Sequence, residues 1–153
     1  MHLKTIFQKI SLDSIESFIN SYEIILPDDY KRFIFEYNGG FPKPNKFFSL
    51  DKSQSSACEV LFGIDDGVTE YKHLTLNESW EALIKLLYLP SEVFPIGQDG
   101  FGNQLCICLK ELNYGNIYFY DHEGWNENDD VRAKFTDLFG SLTILVVGLV
   151  PSF

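Results

Sequence analysis

Tyr30, Phe33, Ile34 and Tyr37 recur at i, i+3, i+4 and i+7, with Lys31, Arg32 and Glu36 between them, which predicts an amphipathic helix. Its start is marked by Leu26-Pro27, because proline suits a first helical position where no backbone N–H is needed. Asp28 and Asp29 follow in the first turn, where the helix dipole favours negative charge. Asn38-Gly39-Gly40 ends it, since a C-cap needs a residue at ease in the left-handed conformation, and a positive φ is expected at Gly39. Upstream, Ile15, Phe18 and Ile19 form a shorter stripe, with Asp13 and Glu16 spaced as a capping box. Phe7 and Ile10 extend its contacts, and two helices are expected before any sheet.

Beyond residue 40 the period shortens. The prolines of Phe41 to Lys46 exclude a central strand. Phe47, Phe48 and Leu50 predict a short strand and Asp51 to Ser56 a polar loop. Val60, Leu61, Phe62 and Ile64 predict a second strand, closed at Gly63 or by the Asp65-Asp66-Gly67 turn. Asn77 is expected to cap a third helix that buries Trp80, Leu83, Ile84 and Leu87 and stops at Pro90. Val93, Phe94 and Ile96 read as a strand that Pro95 places at a sheet edge. A turn at Asp99 to Asn103, alternation from Gln104 to Leu109, a turn at Asn113 to Asn116 and alternation from Ile117 to Tyr120 complete a three-strand antiparallel meander. Val131, Phe135, Leu138, Phe139 and Leu142 form a last helical stripe, capped by Asp129 or Asp130. Ile144 to Val147 continues that helix or forms a strand, and its β-branched content leans toward strand. The fold class expected is α+β in one domain over residues 1–153: N-terminal helices, a mostly antiparallel sheet with a three-strand meander, and a C-terminal helix.

Two stretches of this pattern resemble a known family. LPDDYKRFIFEYNGG, at 26–40, is similar to the signature of the SUKH superfamily: leucine-proline, an acidic pair, tyrosine, an aromatic-rich helix, then Asn-Gly-Gly. The spacing from there to the Leu-Phe-Gly-Ile strand is similar too. FPIGQDGFGNQLCICLK, followed by GNIYFYDHE, resembles the family's meander; many members carry Trp where this chain has Tyr120. The resemblance covers roughly residues 13–142 and leaves Ile144 to Phe153 unexplained. It implies a non-catalytic binding module, because the family includes bacterial immunity proteins that neutralise nuclease and other toxins, and fungal regulators of cell-wall assembly. The fungal type usually carries long extra segments. This sequence shows none, so the adaptor reading ranks second.

Composition narrows the partner. With 45% hydrophobic and 16% aromatic residues the chain has the material for a packed core. A formal charge of −10 argues against nucleic acid, whose phosphates require a lysine and arginine surface; on composition alone it either attracts a basic protein partner or serves only solubility. The first ten residues lack an apolar core of signal-peptide length, and Ile144 to Val150 is too short to span a bilayer, so no membrane partner is expected. An odd cysteine count, with Cys58, Cys106 and Cys108, suits free thiols in a cytoplasmic setting.

Catalytic readings fail on geometry. Asp121, His122 and Glu123 cannot share one face of a strand, and neither a metal motif nor a histidine cluster accompanies them. Cys106 and Cys108 would lie ~6.7 Å apart with parallel side chains, which disfavours a disulfide. Gly97 to Gly102 lacks the spacing and the Lys-Ser/Thr of a phosphate loop. No cofactor and no metal are expected. What remains is charge placement. Asp121, Glu123, Glu127, Asp129 and Asp130 fall within 121–130 with no lysine or arginine among them, and Trp125 sits in their midst. Tryptophan is enriched at interface hot spots. These six residues are the expected contact with a basic toxin domain, with Asp65, Asp66 and Glu70 secondary. The alternative for Trp125 is that it folds onto the sheet while the acids cap the last helix.

Overall fold

The computed structural model describes residues 2–43, 46–48, 55–86, 93–110, 114–120 and 135–139. The chain begins with a strand, β1 (His2–Lys4), and not with a helix as expected. Its partner is β2 (Phe41–Lys43), which follows directly on Asn38-Gly39-Gly40, and the two form a separate antiparallel pair. Three residues are too few to show a period of two, so the pairing is a tertiary event.

Helix α1 (Leu12–Tyr22) is capped by Ser11, whose Oγ accepts the Ser14 N–H at 3.1 Å, two residues upstream of the expected Asp13. Serine and aspartate are comparable caps, so residue type could not choose between them. Ile15, Phe18 and Ile19 are buried as the stripe requires. Helix α2 (Asp28–Tyr37) follows, with Pro27 in the cap position just outside it and Tyr30, Phe33 and Ile34 buried. Its stop works as expected and one residue earlier as well: Asn38 itself is left-handed at φ 51°, and Gly39 follows at φ 79°.

The main sheet contains β3 (Lys46–Phe48), β4 (Ser55–Leu61), β5 (Val93–Asp99), β6 (Gln104–Cys108), β7 (Ile117–Tyr120) and β8 (Phe135–Phe139). Spatial order equals chain order and every neighbouring pair is antiparallel, so the expected three-strand meander extends to six. β4 begins inside the expected polar loop. β5 lies between β4 and β6 and is not an edge strand. The register shifts between Pro95 and Gly97, and such an irregularity lets proline sit inside a sheet. Phe135 to Phe139, part of the expected C-terminal helix stripe, form β8 on the free side of β7; Val131 and Leu142 lie outside the described residues. A short apolar run fits either period, and an open ladder on β7 decides for strand.

A 3-10 turn, Lys72–Leu74, leads into α3 (Leu76–Leu86). Thr75 caps that helix, its Oγ1 accepting the Glu78 N–H at 3.2 Å, while the expected cap Asn77 lies in the first turn. Trp80 is buried, and Leu83 and Ile84 fall within α3. Leu87 and Pro90 lie outside the described residues. One apolar cluster joins the faces of α1 and α2, Trp80, and the inward residues of β4 to β7. Phe18 and Phe94 flank the Trp80 ring at 5.1 and 4.5 Å between centroids, and Trp80 Nε1 donates to the Pro95 carbonyl at 2.6 Å. The architecture is α+β. No helix among the described residues is long and apolar enough to cross a membrane.

Candidate functional site

The Asn-Gly-Gly stop turns out to be a junction. Asn38 is fully buried, and its side chain bonds two distant segments: Oδ1 accepts the Ile64 N–H at 2.8 Å, and Nδ2 donates to the carbonyls of Ile64 at 2.9 Å and Gln8 at 3.0 Å. Gly40 and Leu61 exchange both backbone bonds at 2.9 Å. A Cβ at Gly39 would stand 2.6 Å from the Leu61 carbonyl oxygen, and a Cβ at Gly63 would collide with the Asn38 carbonyl. The two glycines therefore let the Asn38–Gly40 and Leu61–Gly63 backbones touch. Asn-Gly-Gly and the Leu-Phe-Gly that follows it in the resemblance are two sides of one contact.

Next to that junction, Asp65 to Tyr71 form a loop held by its own carboxylates. Asp66 accepts backbone N–H bonds from Gln8, Val68 and Thr69 at 2.7 to 2.9 Å. Burial acts to raise its pKa, but the three N–H bonds outweigh it and hold the carboxyl below its usual range. Asp65 is held low by its bond to the Lys72 ammonium at 2.8 Å and by the Gly67 N–H. A groove of about 400 Å³ separates this loop from the Thr5–Gln8 segment, with Val68, Glu70 and Tyr71 exposed along it. Of the three acids expected as secondary contacts, Asp66 and Glu70 line this groove, and Asp65 and Asp66 are engaged in shaping the loop. Asp121, Glu123, Trp125, Glu127, Asp129 and Asp130 lie outside the described residues.

At the β5–β6 turn a third carboxylate works in the same way. Asp99, buried at 2% exposure, accepts from the Phe101 and Asn103 N–H groups, the Asn103 amide and the Ser56 hydroxyl, at 2.8 to 3.0 Å. The turn it fixes holds Phe101 outward, 81% exposed.

A larger groove, about 620 Å³, lies where the α1–α2 linker passes the sheet, and the sequence reading missed it. Tyr22, Ile24, Ile25, Phe94, Leu109 and Tyr114 line it, with Glu23 and Lys110 at its edge. Tyr114 donates from its hydroxyl to the Ile25 carbonyl at 3.1 Å, which ties the β6–β7 turn to the linker. The available signal was Ile25, an apolar residue between two helices and on the stripe of neither.

The cysteines offer little chemistry. Cys58, Cys106 and Cys108 are free and buried. Burial pushes the Cys58 and Cys106 thiols well up, with the nearby Asp99 carboxylate adding to the effect at Cys58, so the reactive thiolate is disfavoured. Among the described residues no three His, Cys, Asp or Glu side chains are grouped to hold a metal.

Comparison with known families decides the relationship: a model of the SMI1 / KNR4 family (SUKH-1) matches residues 9–141. The chain belongs to the SMI1 / KNR4 (SUKH-1) family. The match spans α1 through β8, so both halves of the junction fall inside it. A comparison with curated proteins finds no match. As a SUKH-1 domain, the chain falls in a family of generally non-catalytic immunity and regulatory proteins. Several residues of its signature are committed to folding. Asn38 is a buried connector, Tyr30 and Phe33 are core, and the glycines permit backbone contact.

Proposed function

We propose that this SUKH-1 domain is a cytoplasmic immunity protein that binds a cognate bacterial toxin, of nuclease type, and blocks it by occlusion without catalysing a reaction. The family match over residues 9–141 carries the reading. The charge of −10 adds to it, because a nuclease presents a basic surface for phosphates and an acidic protein can occupy that surface. In this reading Asp121, Glu123, Glu127, Asp129 and Asp130 steer the approach, Trp125 anchors the contact, and Asp65, Asp66 and Glu70 contribute at longer range. Complementary charge acts mainly on association rate, whereas a desolvated aromatic anchor acts on dissociation.

The test is co-expression with the toxin domain encoded by the neighbouring gene, followed by binding kinetics at two ionic strengths. Protection of the cell, with one-to-one binding whose kon falls as salt rises, is the expected result. Charge reversal at Glu127 and Asp129 should slow association and leave the fold intact, and Trp125→Ala should raise koff. A chain that neither protects nor binds sinks the reading and moves the adaptor role to first place.

A further inference from the structure

The groove beside the α1–α2 linker combines three properties. Its lining is apolar and open: Ile25 is 78% exposed and Tyr114 40%. Its floor is rigid, because Phe94 and Tyr22 pack on the buried Trp80 ring at 4.5 and 5.4 Å, and Trp80 is itself pinned to the Pro95 carbonyl. A preformed site of this kind binds without the cost of ordering its own side chains.

The third property is the sign of its rim. Glu81 receives the Tyr22 hydroxyl at 3.4 Å. Burial first and Glu81 second push the Tyr22 pKa up. At the other end burial, then the carboxylates of Asp28 and Asp29, push Tyr114 up, with only Lys31 opposing. Lys31 is itself bonded to Glu16 at 3.0 Å. Glu23 and Lys110 are themselves lining residues, and around the lining tyrosines Glu81, Asp28 and Asp29 stand against Lys31 alone, which Glu16 already pairs, so the rim is net acidic. A second copy of the chain would bring acid against acid, at −10 each.

We propose that this groove is the anchoring site for a segment of a partner protein that carries a large aromatic side chain flanked by lysine or arginine. The aromatic fills the space over Phe94 and Leu109, and the flanking cations meet Glu23, Glu81, Asp28 and Asp29. Its volume lies within the roughly 300–1,000 Å³ of specific ligand sites. The inference rests on the proposed function for the partner's identity, since the toxin is the protein that would present such a segment, and it puts an anchor at a place distinct from residues 121–130.

The probe is a capped peptide with a central tryptophan and two lysines on each side, titrated into the isotopically labelled full chain and followed by amide shifts. Shifts concentrated at Ile24, Ile25, Phe94, Lys110 and Tyr114 are expected. Ile25 is exposed, so Ile25→Glu leaves the fold intact and should weaken binding about tenfold or more. Simple charge attraction predicts the opposite, because that variant adds a negative charge. A peptide with serine in place of tryptophan that binds as well overturns the proposal, as does weakening by Val68→Glu in the other groove and not by Ile25→Glu. With the toxin domain itself, protection by wild type and an unchanged koff for Ile25→Glu overturns the groove and leaves the proposed function standing. Peptide shifts at the groove without toxin binding support the groove and sink the proposed function.

Discussion

Asn38 shows how one residue can serve two purposes that a sequence pattern presents as one. Its backbone ends α2 in the left-handed conformation, and its side chain closes three buried hydrogen bonds to Gln8 and Ile64. Asn38→Gly separates the two. Glycine suits the backbone better than asparagine, so any loss reports the side chain alone. With the Ile64 N–H and two carbonyls left unpaired, destabilisation of about 2–4 kcal/mol is expected in urea unfolding. A wild-type midpoint would mean that the cap alone matters. Asp66 gives a residue-scale prediction in pH. Its folded-state pKa is depressed, so its contribution is complete above the unfolded value of about 3.9 and is lost as pH falls through the lower, folded value. Asp66→Asn should cost about 1 kcal/mol at neutral pH, through the weakened Gln8 contact. It should also flatten the decline in stability below pH 4. Parallel acid-unfolding curves for variant and wild type would refute this.

Among the elements, α3 is the clearest case of a start signal read one residue pair too late. Thr75 and Asn77 are both acceptable caps by type. Thr75 holds the position because the preceding 3-10 turn delivers its Oγ1 both to the Glu78 N–H and, as donor, to the Lys72 carbonyl at 2.7 Å. Asn77 instead accepts the Asp65 N–H at 2.9 Å, a loop contact. Thr75→Val, nearly isosteric, should therefore destabilise by about 1–2 kcal/mol, measured by thermal or urea unfolding. β6 sets a second expectation at this scale. Every residue from Gln104 to Cys108 is buried, so its two thiols lie on a strand covered on both faces. Cys58, Cys106 and Cys108 should react with a thiol reagent only as fast as the chain unfolds, with the logarithm of the rate rising linearly with added urea. Rapid labelling of Cys106 and Cys108 in the native protein would show that one face of the sheet is open.

For the whole molecule, the proposed recognition of a basic toxin by a chain of net charge −10 sets a kinetic expectation. If steering operates, the log of kon should fall steeply with ionic strength while koff stays nearly constant, as stopped-flow mixing with the toxin domain would show. Equal salt dependence in both rates would place the charges inside the contact and not around it. The sequence by itself determined the local devices. The Tyr30 stripe, the acidic first turn, the left-handed stop at Gly39 and the alternation of β6 and β7 each depend on residues within a turn or two, where side-chain period and backbone sterics act directly. It also carried the family relationship, because the residues at the junction are restricted by close contact. Tertiary structure decided everything that needed a partner from far away. Pro95 sits in a central strand because the ladder shifts around it. Phe135 to Phe139 are strand because β7 had an open edge, and β1 exists because β2 was brought beside it. The groove at Ile25 was illegible for the same reason: its walls come from the end of α1, a linker, β5 and the connection after β6, and its character depends on which residues the fold leaves exposed.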